Sequence, residues 1–576
     1  MANLRLSTSL LLLILVVLGI FYPAIFAPLN SLDDPKLVQH YLNAENISLE
    51  TIFTPVGGNY YRPLLEVSYL PAKYWWGLDE SFLHLENILF HLLNVLLLFS
   101  VVLKAAQLLG VQSLWLPLSA ALVFALHPIN TEAVNWISGR SDLLTGVFLL
   151  ASVRLLLNSK SHWLFSLCSA FFFILACLCK ETAVFLLPAI VLLPAFCLKT
   201  NSNDKIIPAQ MFKTWSTSFL FALAGGGYFV FRKLAFSEGD SGTSHVISQV
   251  AAEQGAELFA KGHIILKVAG FYLKKLFFPF PLNFAIIHVP DYYFYVGLIA
   301  VAIVLWTLFY RRLATFFILC AASVGSSALL IPFLRATWTP LAERYMYIPS
   351  AFFIAGVAVA IYHWQESVRC KQVIFICVSA VLLVFAYGTS NRNYLWQNNL
   401  ALFQDTLDKS PEFEPAKHEI AKALYAQGRT VEASEIAASI HGPDDPETGQ
   451  LLLVNKADHL LRSEDWDGAL ACLNQALASP GHHEGAIQKA FLSLYDYRMM
   501  KESGDPGVLY GQAIPHILRL YELTKNPFYQ YRLGQAYLFL EKKTDAQKAF
   551  ALAARLAPNT AHYHQAALKL SKSLAE

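Results

Sequence analysis

Residues 127–144 read HPINTEAVNWISGRSDLL, a stretch that places a His, a Glu, an Arg and an Asp between two apolar runs at 114–126 and 143–157. Both runs approach the length that a hydrocarbon core of about 30 Å demands. Ionisable side chains in such a setting turn away from lipid, toward the protein interior or a water-filled cavity. The stretch therefore reads as a polar connection at one surface of a membrane, and the chain around it as a bundle of spanning helices.

The composition agrees. Of 576 residues, 56% are hydrophobic and 15% charged, and the mean hydropathy is +0.44, outside the range of soluble globular domains. A net charge of +2 with no basic stripe gives no reason to expect a nucleic-acid partner. The eight cysteines are scattered, and Cys177 and Cys179 sit too close for a CxxC pair. Only Cys472 falls in the last third, so that part has no internal disulfide.

Further apolar runs lie near 7–27, 84–103, 162–178, 183–198, 215–236, 292–310, 313–334, 350–363 and 372–389. Together they predict about eleven spans, the first an uncleaved helix because no A-x-A-like site follows it. Lys104, Arg154, Lys160, Lys199, Lys205, Lys213, Arg311, Arg312, Arg369 and Lys371 collect on alternate connections and place the N-terminus inside. The segment 257–278 carries Lys261, Lys267, Lys274 and Lys275. It reads as an interfacial helix on the outer side whose lysines snorkel, since a span there would reverse the charge bias downstream. The connections at 28–80, 127–142, 179–182, 237–291 and 335–349 then share the outer face.

Those outer connections hold the unusual polar residues. Asp33 and Asp34 follow the first span, and Arg62 and Lys73 sit in an aromatic segment, 60–78, suited to an interfacial belt. His84, Asn87 and His91 share one helix face. A rise of about 10 Å between the two histidines argues against a shared metal and for a polar stripe lining a cavity. Glu132 and Asn135, then Arg140 and Asp142, follow His127-Pro128, and Lys180-Glu181 and Glu343-Arg344-Tyr345 occupy two other short turns. Cations from separate turns converging at head-group level suit a phosphate-bearing lipid, and Arg adds a bidentate fork. Paired carboxylates suit a reaction in which one accepts a proton from a hydroxyl and the other orients it.

From about 391 the composition shifts to Ala, Leu, Glu, Lys and Gln. Gly534, Ala546, Ala553 and Pro558 take the small-residue and stop positions of a tetratricopeptide helix pair, with weaker copies around Ala421 and Ala433 and around Ala457, Ala469 and Ala476. The fold class is thus all-α: a polytopic membrane bundle over 1–390 with outer loops 28–80 and 237–291, followed by a helical solenoid over 391–576.

HLENILFHLLNVLLL, HPINTEAVNWISGRSDLL, CKETAVFLLP, LAERYMYIPS and NRNYLWQNNLALFQDTLDKSPEF, taken in order, resemble the transmembrane-and-tetratricopeptide-containing protein O-mannosyltransferases and their bacterial relatives, within the wider GT-C class of lipid-linked sugar transferases. The resemblance implies transfer of a sugar, such as mannose, from a polyprenyl phosphate to a Ser or Thr hydroxyl of a protein, with inversion, on the luminal or periplasmic face. An acidic residue of the first outer loop serves as base, and either Asp33 or Asp34 fits. Arg62, Arg140, Lys180 and Arg344 are expected to face the donor phosphate. His84, Asn87, His91, His127, Glu132, Asp142, Glu181, Glu343 and Tyr345 are expected to line the pocket. Glu86 stands where the family leads one to expect no acid, and it has no assigned role.

The lipid-linked sugar is the donor, and no further cofactor is expected. Asp33, Asp34 and His127 have metal-ligand chemistry, but nothing in the pattern demands a divalent ion. The expected partners are the donor lipid, the membrane and a protein acceptor docked on the repeats. The expected location is a bacterial inner membrane with the site and the repeats on the periplasmic side. Two other readings stay open: a non-catalytic anchored scaffold for envelope proteins, and a transferase acting on a lipid or cell-wall glycan.

Overall fold

The computed structural model describes residues 6–43, 47–53, 60–158, 163–192, 208–235, 256–310, 313–334, 339–362, 368–427, separate positions between 429 and 461, 464–479, 484–501, 505–557, 561 and 563–575. It divides into two compact units, 1–427 and 428–576. The composition shift near 391 thus precedes the structural division, and the first helical hairpin of the C-terminal part belongs to the first unit. The basic residues at 160, 199, 205, 311 and 312 and the stop residue Pro558 lie outside the described residues.

In the first unit the helices of ten residues or more are α1 (Leu6–Phe21), α2 (Asp34–Asn43), α3 (Pro63–Trp76), α4 (Glu80–Leu108), α5 (Trp115–Leu126), α6 (Arg140–Leu156), α7 (Trp163–Cys179), α8 (Pro208–Ala235), α9 (Ala256–Phe277), α10 (Tyr293–Tyr310), α11 (Leu313–Leu334), α12 (Tyr347–Tyr362), α13 (Val368–Trp396), α14 (Asn399–Lys409) and α15 (Glu414–Ala426). Among the described residues five helices are long and apolar enough to cross a membrane: 6–26, 80–108, 313–332, 343–361 and 372–396. Shorter apolar helices cover 115–126, 163–179, 181–191 and 293–308.

The core gathers the inward faces of α1, α4, α5, α6, α7, α11 and α12, with Phe21, Val95, Phe124, Leu149, Phe173, Phe317 and Phe352 at its centre. The outward faces stay apolar, as Leu383 on α13 and Phe219 on α8 show by their exposure, which is what a helix facing lipid requires. The short helix α3 leaves Tyr74 and Trp75 exposed, as an interfacial belt does. It ends on Gly77 at φ +62°, a left-handed cap that favours glycine. Asp79 then starts α4 by accepting the Ser81 and Phe82 N–H groups.

The α9 segment departs from the snorkelling expectation at Lys275. Its ammonium is buried and bonds the Glu343 carboxylate at 2.7 Å, the Pro279 carbonyl at 2.9 Å and the Pro281 carbonyl. A cation removed from water is tolerable only when an acid and carbonyl dipoles replace its hydration, and all three are present. Lys267 keeps a surface partner in Asp291 at 2.8 Å. Gly270 and Gly297 let α9 and α10 touch main chain to main chain: a Cβ on Gly297 would lie 1.9 Å from the Leu266 carbonyl.

The second unit is helical throughout its described elements: α16 (Trp466–Ala478), α17 (Glu484–Met500), α18 (Pro506–Thr524), α19 (Pro527–Phe539), α20 (Lys543–Leu556) and α21 (His564–Ser573). Successive helices pack on one another from α16 to α21. The small residues act as their spacing suggested. Ala546 and Ala553 are fully buried, and a Cβ on Gly534 would meet the Phe550 ring at 2.7 Å.

Candidate functional site

The 127–144 stretch is built by helix breaks. Pro128 ends α5, His127 bonds the Ile129 N–H, and short turns at Pro128–Asn130, Thr131–Asn135 and Ile137–Gly139 lead into α6. Gly139 is required by closeness, because a Cβ there would sit 2.5 Å from the Ala133 carbonyl. Every residue from 127 to 144 is buried except Ser138.

That exception meets the aspartate turn. The Ser138 hydroxyl and N–H donate to one oxygen of Asp34 at 2.7 and 3.1 Å, and the Asn30 N–H donates to the other at 3.0 Å. Asp34 is fully buried, and burial pushes its carboxyl up to about 6, against the pull of these hydrogen bonds. Asp33, one residue earlier, is half-buried at the mouth of α2. Beside them Tyr69 donates to the Ile137 carbonyl at 3.1 Å.

Four turns distant in sequence meet in a chain of contacts. Arg62 grips Glu181 with two parallel bonds, at 2.9 and 2.6 Å, and Lys180 sits between the two oxygens of Asp142, 2.7 Å from each. The Lys180 ammonium also lies 5.8 Å from the centre of the Tyr345 ring. The Arg344 guanidinium stacks 4.8 Å from the same ring and 4.6 Å from Trp136. It pairs with Glu132, whose second oxygen accepts the Glu343 and Arg344 N–H groups at 2.9 and 3.1 Å. Glu132 is held above the usual carboxylate range by burial, and Arg344 counteracts that rise. Side-chain exposures of 19, 9 and 11% for Arg62, Lys180 and Arg344 put all three at the rim of the packed interior.

Arg140 is placed differently from these cations. Its side chain is entirely buried. Its guanidinium donates to Asn87 Oδ1, the Ser68 carbonyl and the Leu83 carbonyl at 3.1, 3.0 and 3.2 Å, lies 2.7 Å from Glu86, and stacks 4.2 Å from the Tyr69 ring. Glu86, unassigned from sequence, is thus the counter-charge of Arg140.

The polar stripe of α4 is buried as a unit. Asn87 donates to the Trp136 carbonyl at 3.0 Å, and His91 bonds the Tyr347 hydroxyl at 2.8 Å. The stripe runs one turn further than the sequence reading took it, to Asn94, which donates to the Leu143 carbonyl at 2.8 Å. His84 is buried near the start of the helix. His127 accepts from Ile129 through Nδ1, so its proton is on Nε2, donating to the Leu276 carbonyl at 3.1 Å. Burial pushes that ring down to about 4, and it stays neutral. Among the described residues no three His, Cys, Asp or Glu side chains group as a metal site would. Sequence reasoning missed Ser138 and Lys275. Ser138 stood inside the quoted stretch as one of three hydroxyl residues, with Thr131 and Ser141, and nothing local marked it out from them or Lys275 from its neighbouring lysines.

No family model matches the chain. It is similar to protein O-mannosyl-transferase TMTC3 of Mus musculus, 26% identical over 398 residues, which are 60% of this chain and 40% of that protein. It is also similar to protein O-mannosyl-transferase TMTC4 of Homo sapiens, 25% identical over 429 residues, 65% of this chain and 56% of that protein. A shorter match, 35% identical over 170 residues, joins 28% of the chain to 20% of protein O-mannosyl-transferase tmtc2 of Xenopus laevis. The chain thus spans between a fifth and just over half of the length of these relatives. The resemblance read from the motifs is borne out by these matches.

Proposed function

We propose that the chain is an inverting glycosyltransferase of the GT-C class that moves a hexose, such as mannose, from a polyprenyl-phosphate lipid to a Ser or Thr hydroxyl of a protein on the outer face of the membrane. The observation that carries this reading is the rim of three acid-paired cations, Arg62, Lys180 and Arg344, linked through Tyr345 and the buried 127–144 stretch to an aspartate turn. Relatives named as protein O-mannosyl-transferases support it.

In this mechanism Asp33, at the open edge of the turn, takes the proton of the acceptor hydroxyl, and the oxygen attacks C1 of the sugar as the lipid phosphate leaves. Asp34 positions that turn, because both its oxygens already accept hydrogen bonds. The departing phosphate gains charge. Arg62 spends two of its N–H groups on Glu181, and a guanidinium has five. Since each cation is already paired, stabilisation comes from oriented donors rather than from net positive charge, and preorganised donors favour the transition state over the ground state. The helical second unit serves as the dock that raises the local concentration of the acceptor. The membrane is the inner membrane of a bacterium, with the site and the second unit facing the periplasm.

The test uses the purified full chain in nanodiscs, a panel of polyprenyl-phosphate hexoses and a Ser/Thr-containing protein acceptor, with hexose on the acceptor read by mass spectrometry. Asp33→Asn should lower transfer by about 10²- to 10⁴-fold, the range of a lost general base. Equal transfer by the two chains would refute Asp33 as the base, and no transfer by the unaltered chain from any donor would refute the reading and leave an anchored scaffold.

A further inference from the structure

We infer that the elbow between α13 and α14, residues 393–410, is a brace that positions both halves of the proposed site, with Asn399 acting as the positioning residue for the aspartate turn. This deepens the transferase reading and rests on it.

The elbow grips the segment leading to the aspartates by side-chain amides spaced along it. Asn393 donates to the Ile20 carbonyl at 2.7 Å, Gln397 to the Pro23 carbonyl at 2.7 Å, and Asn399 to the Leu29 carbonyl at 2.8 Å. The first two satisfy carbonyls at the end of α1, where the helix and a proline leave them short of donors. The third fixes the residue before Asn30, whose own N–H holds Asp34. The Leu29 N–H donates to Glu80 at 2.9 Å, so the peptide groups on both sides of Leu29 are held.

The same elbow reaches the Arg344 half. Lys409 donates to the Leu282 carbonyl at 2.8 Å and Ser410 to the Ala285 carbonyl at 2.7 Å, while Asn283 donates to the Ser410 hydroxyl at 2.9 Å. The Asn283 N–H in turn holds Glu343, the neighbour of Arg344, at 3.0 Å. Phe284 packs between Trp396, Phe403 and Trp136, with ring centres 5.6 to 5.9 Å apart, and Trp136 is the ring under Arg344. Asn393 also accepts from Asn135, within the 127–144 stretch, at 2.8 Å. The aspartate turn and Arg344 come from opposite ends of the first unit's sequence, Asp33 and Arg344 lying 311 positions apart (344 − 33). One rigid element bonded to both fixes their separation, and a displacement of about 1 Å at a reacting centre costs on the order of 10²-fold in rate.

Asn398 and Asn399 supply the test and its control. Asn398 is exposed and caps α14 through its oxygen, a job an aspartate also does. Asn399 works through its N–H, which an aspartate lacks. The experiment compares the full chain, Asn399→Asp and Asn398→Asp in nanodiscs by hydrogen–deuterium exchange over 27–38 and by steady-state transfer with varied donor.

In Asn399→Asp, exchange over 27–38 should quicken and kcat should fall by about ten- to a hundred-fold, with donor KM within about two-fold, whereas Asn398→Asp should match the unaltered chain in both. A purely structural weakening would instead shift exchange throughout the first unit. Unchanged exchange, unchanged kcat, or equal effects of the two variants would overturn the brace. If the charged variant does not fold, Asn399→Ala is read in the same way. Failure of the unaltered chain to transfer sugar from any donor would sink the transferase reading instead, and the exchange comparison would still decide whether Asn399 holds the segment.

Discussion

Arg140 and Arg344 enter the protein from similar polar turns and look alike in sequence, yet they have opposite surroundings. Arg140 is sealed inside, shared among two main-chain carbonyls, Asn87 and Glu86 under the Tyr69 ring. Arg344, 11% exposed, lies between two aromatic faces with one buried acid partner, and its second terminal nitrogen makes longer bonds, 3.3 Å each, to the Thr339 and Tyr345 hydroxyls. The first guanidinium ties the turn before α6 to α3 and α4, so its hydrogen-bonding capacity is largely consumed by the fold. The second retains a small exposure, and the bonds of its second terminal nitrogen are at the long end of the range, so a competing phosphate oxygen can replace them. Being cationic and near a membrane surface does not make a side chain a phosphate ligand; what its N–H groups are already bonded to does.

The largest expected effect breaks this comparison outright if it fails. Arg140→Ala strips partners from Glu86 and Asn87 and opens a cavity, so it should destabilise by about 3–5 kcal/mol, as breaking a buried pair does. The readout is loss of monodisperse chain in detergent and a lower unfolding temperature. A well-folded Arg140→Ala chain that lost only donor affinity would return Arg140 to the phosphate site.

Arg344→Lys should act on chemistry instead. It keeps the charge beside Glu132 but removes the planar fork, and transfer should fall by about 10²- to 10³-fold, as when one oriented transition-state donor is lost. The unfolding temperature should move little. A fall in stability as large as that of Arg140→Ala would erase the distinction between the two arginines.

The smallest effect is a pH limb. Burial raises the folded Asp34 carboxyl to about 6 from its ordinary 3.8. The linked stability is therefore fully present below about 3.8 and is lost as pH rises through about 6. Activity runs the other way, because the turn needs the ionised form to accept from Ser138 and Asn30. Transfer should decline by a few-fold as pH falls through about 6, and the limb should vanish in Asp34→Asn, whose plateau lies lower. A limb that persisted in that variant would belong to another group.

Much of this was legible along the chain. The helical elements, the polar connection at 127–144 and the i, i+3, i+7 stripe of α4 follow from short-range periodicity and helix breakers. Ser138 and the division at 427 were not. A serine next to a glycine looks like any turn, and α14 and α15 carry the composition of the C-terminal part while α14 is bonded to the first unit. Lys275 shows the same limit: its place in a run of lysines suggested the surface, and only the fold supplied Glu343.

The sequence by itself determined the solvent, because a chain this apolar has no other way to hide its surface, and it determined which short segments had to leave the lipid. Only the tertiary structure decided which of their charges were consumed. Asp34 and Ser138 are 104 residues apart, Arg140 and Asn87 are 53 apart, and Arg344 and Glu132 are 212 apart. A donor or acceptor can be saturated by any group that the fold brings within about 3 Å, and that proximity is a property of packing, which no local pattern encodes.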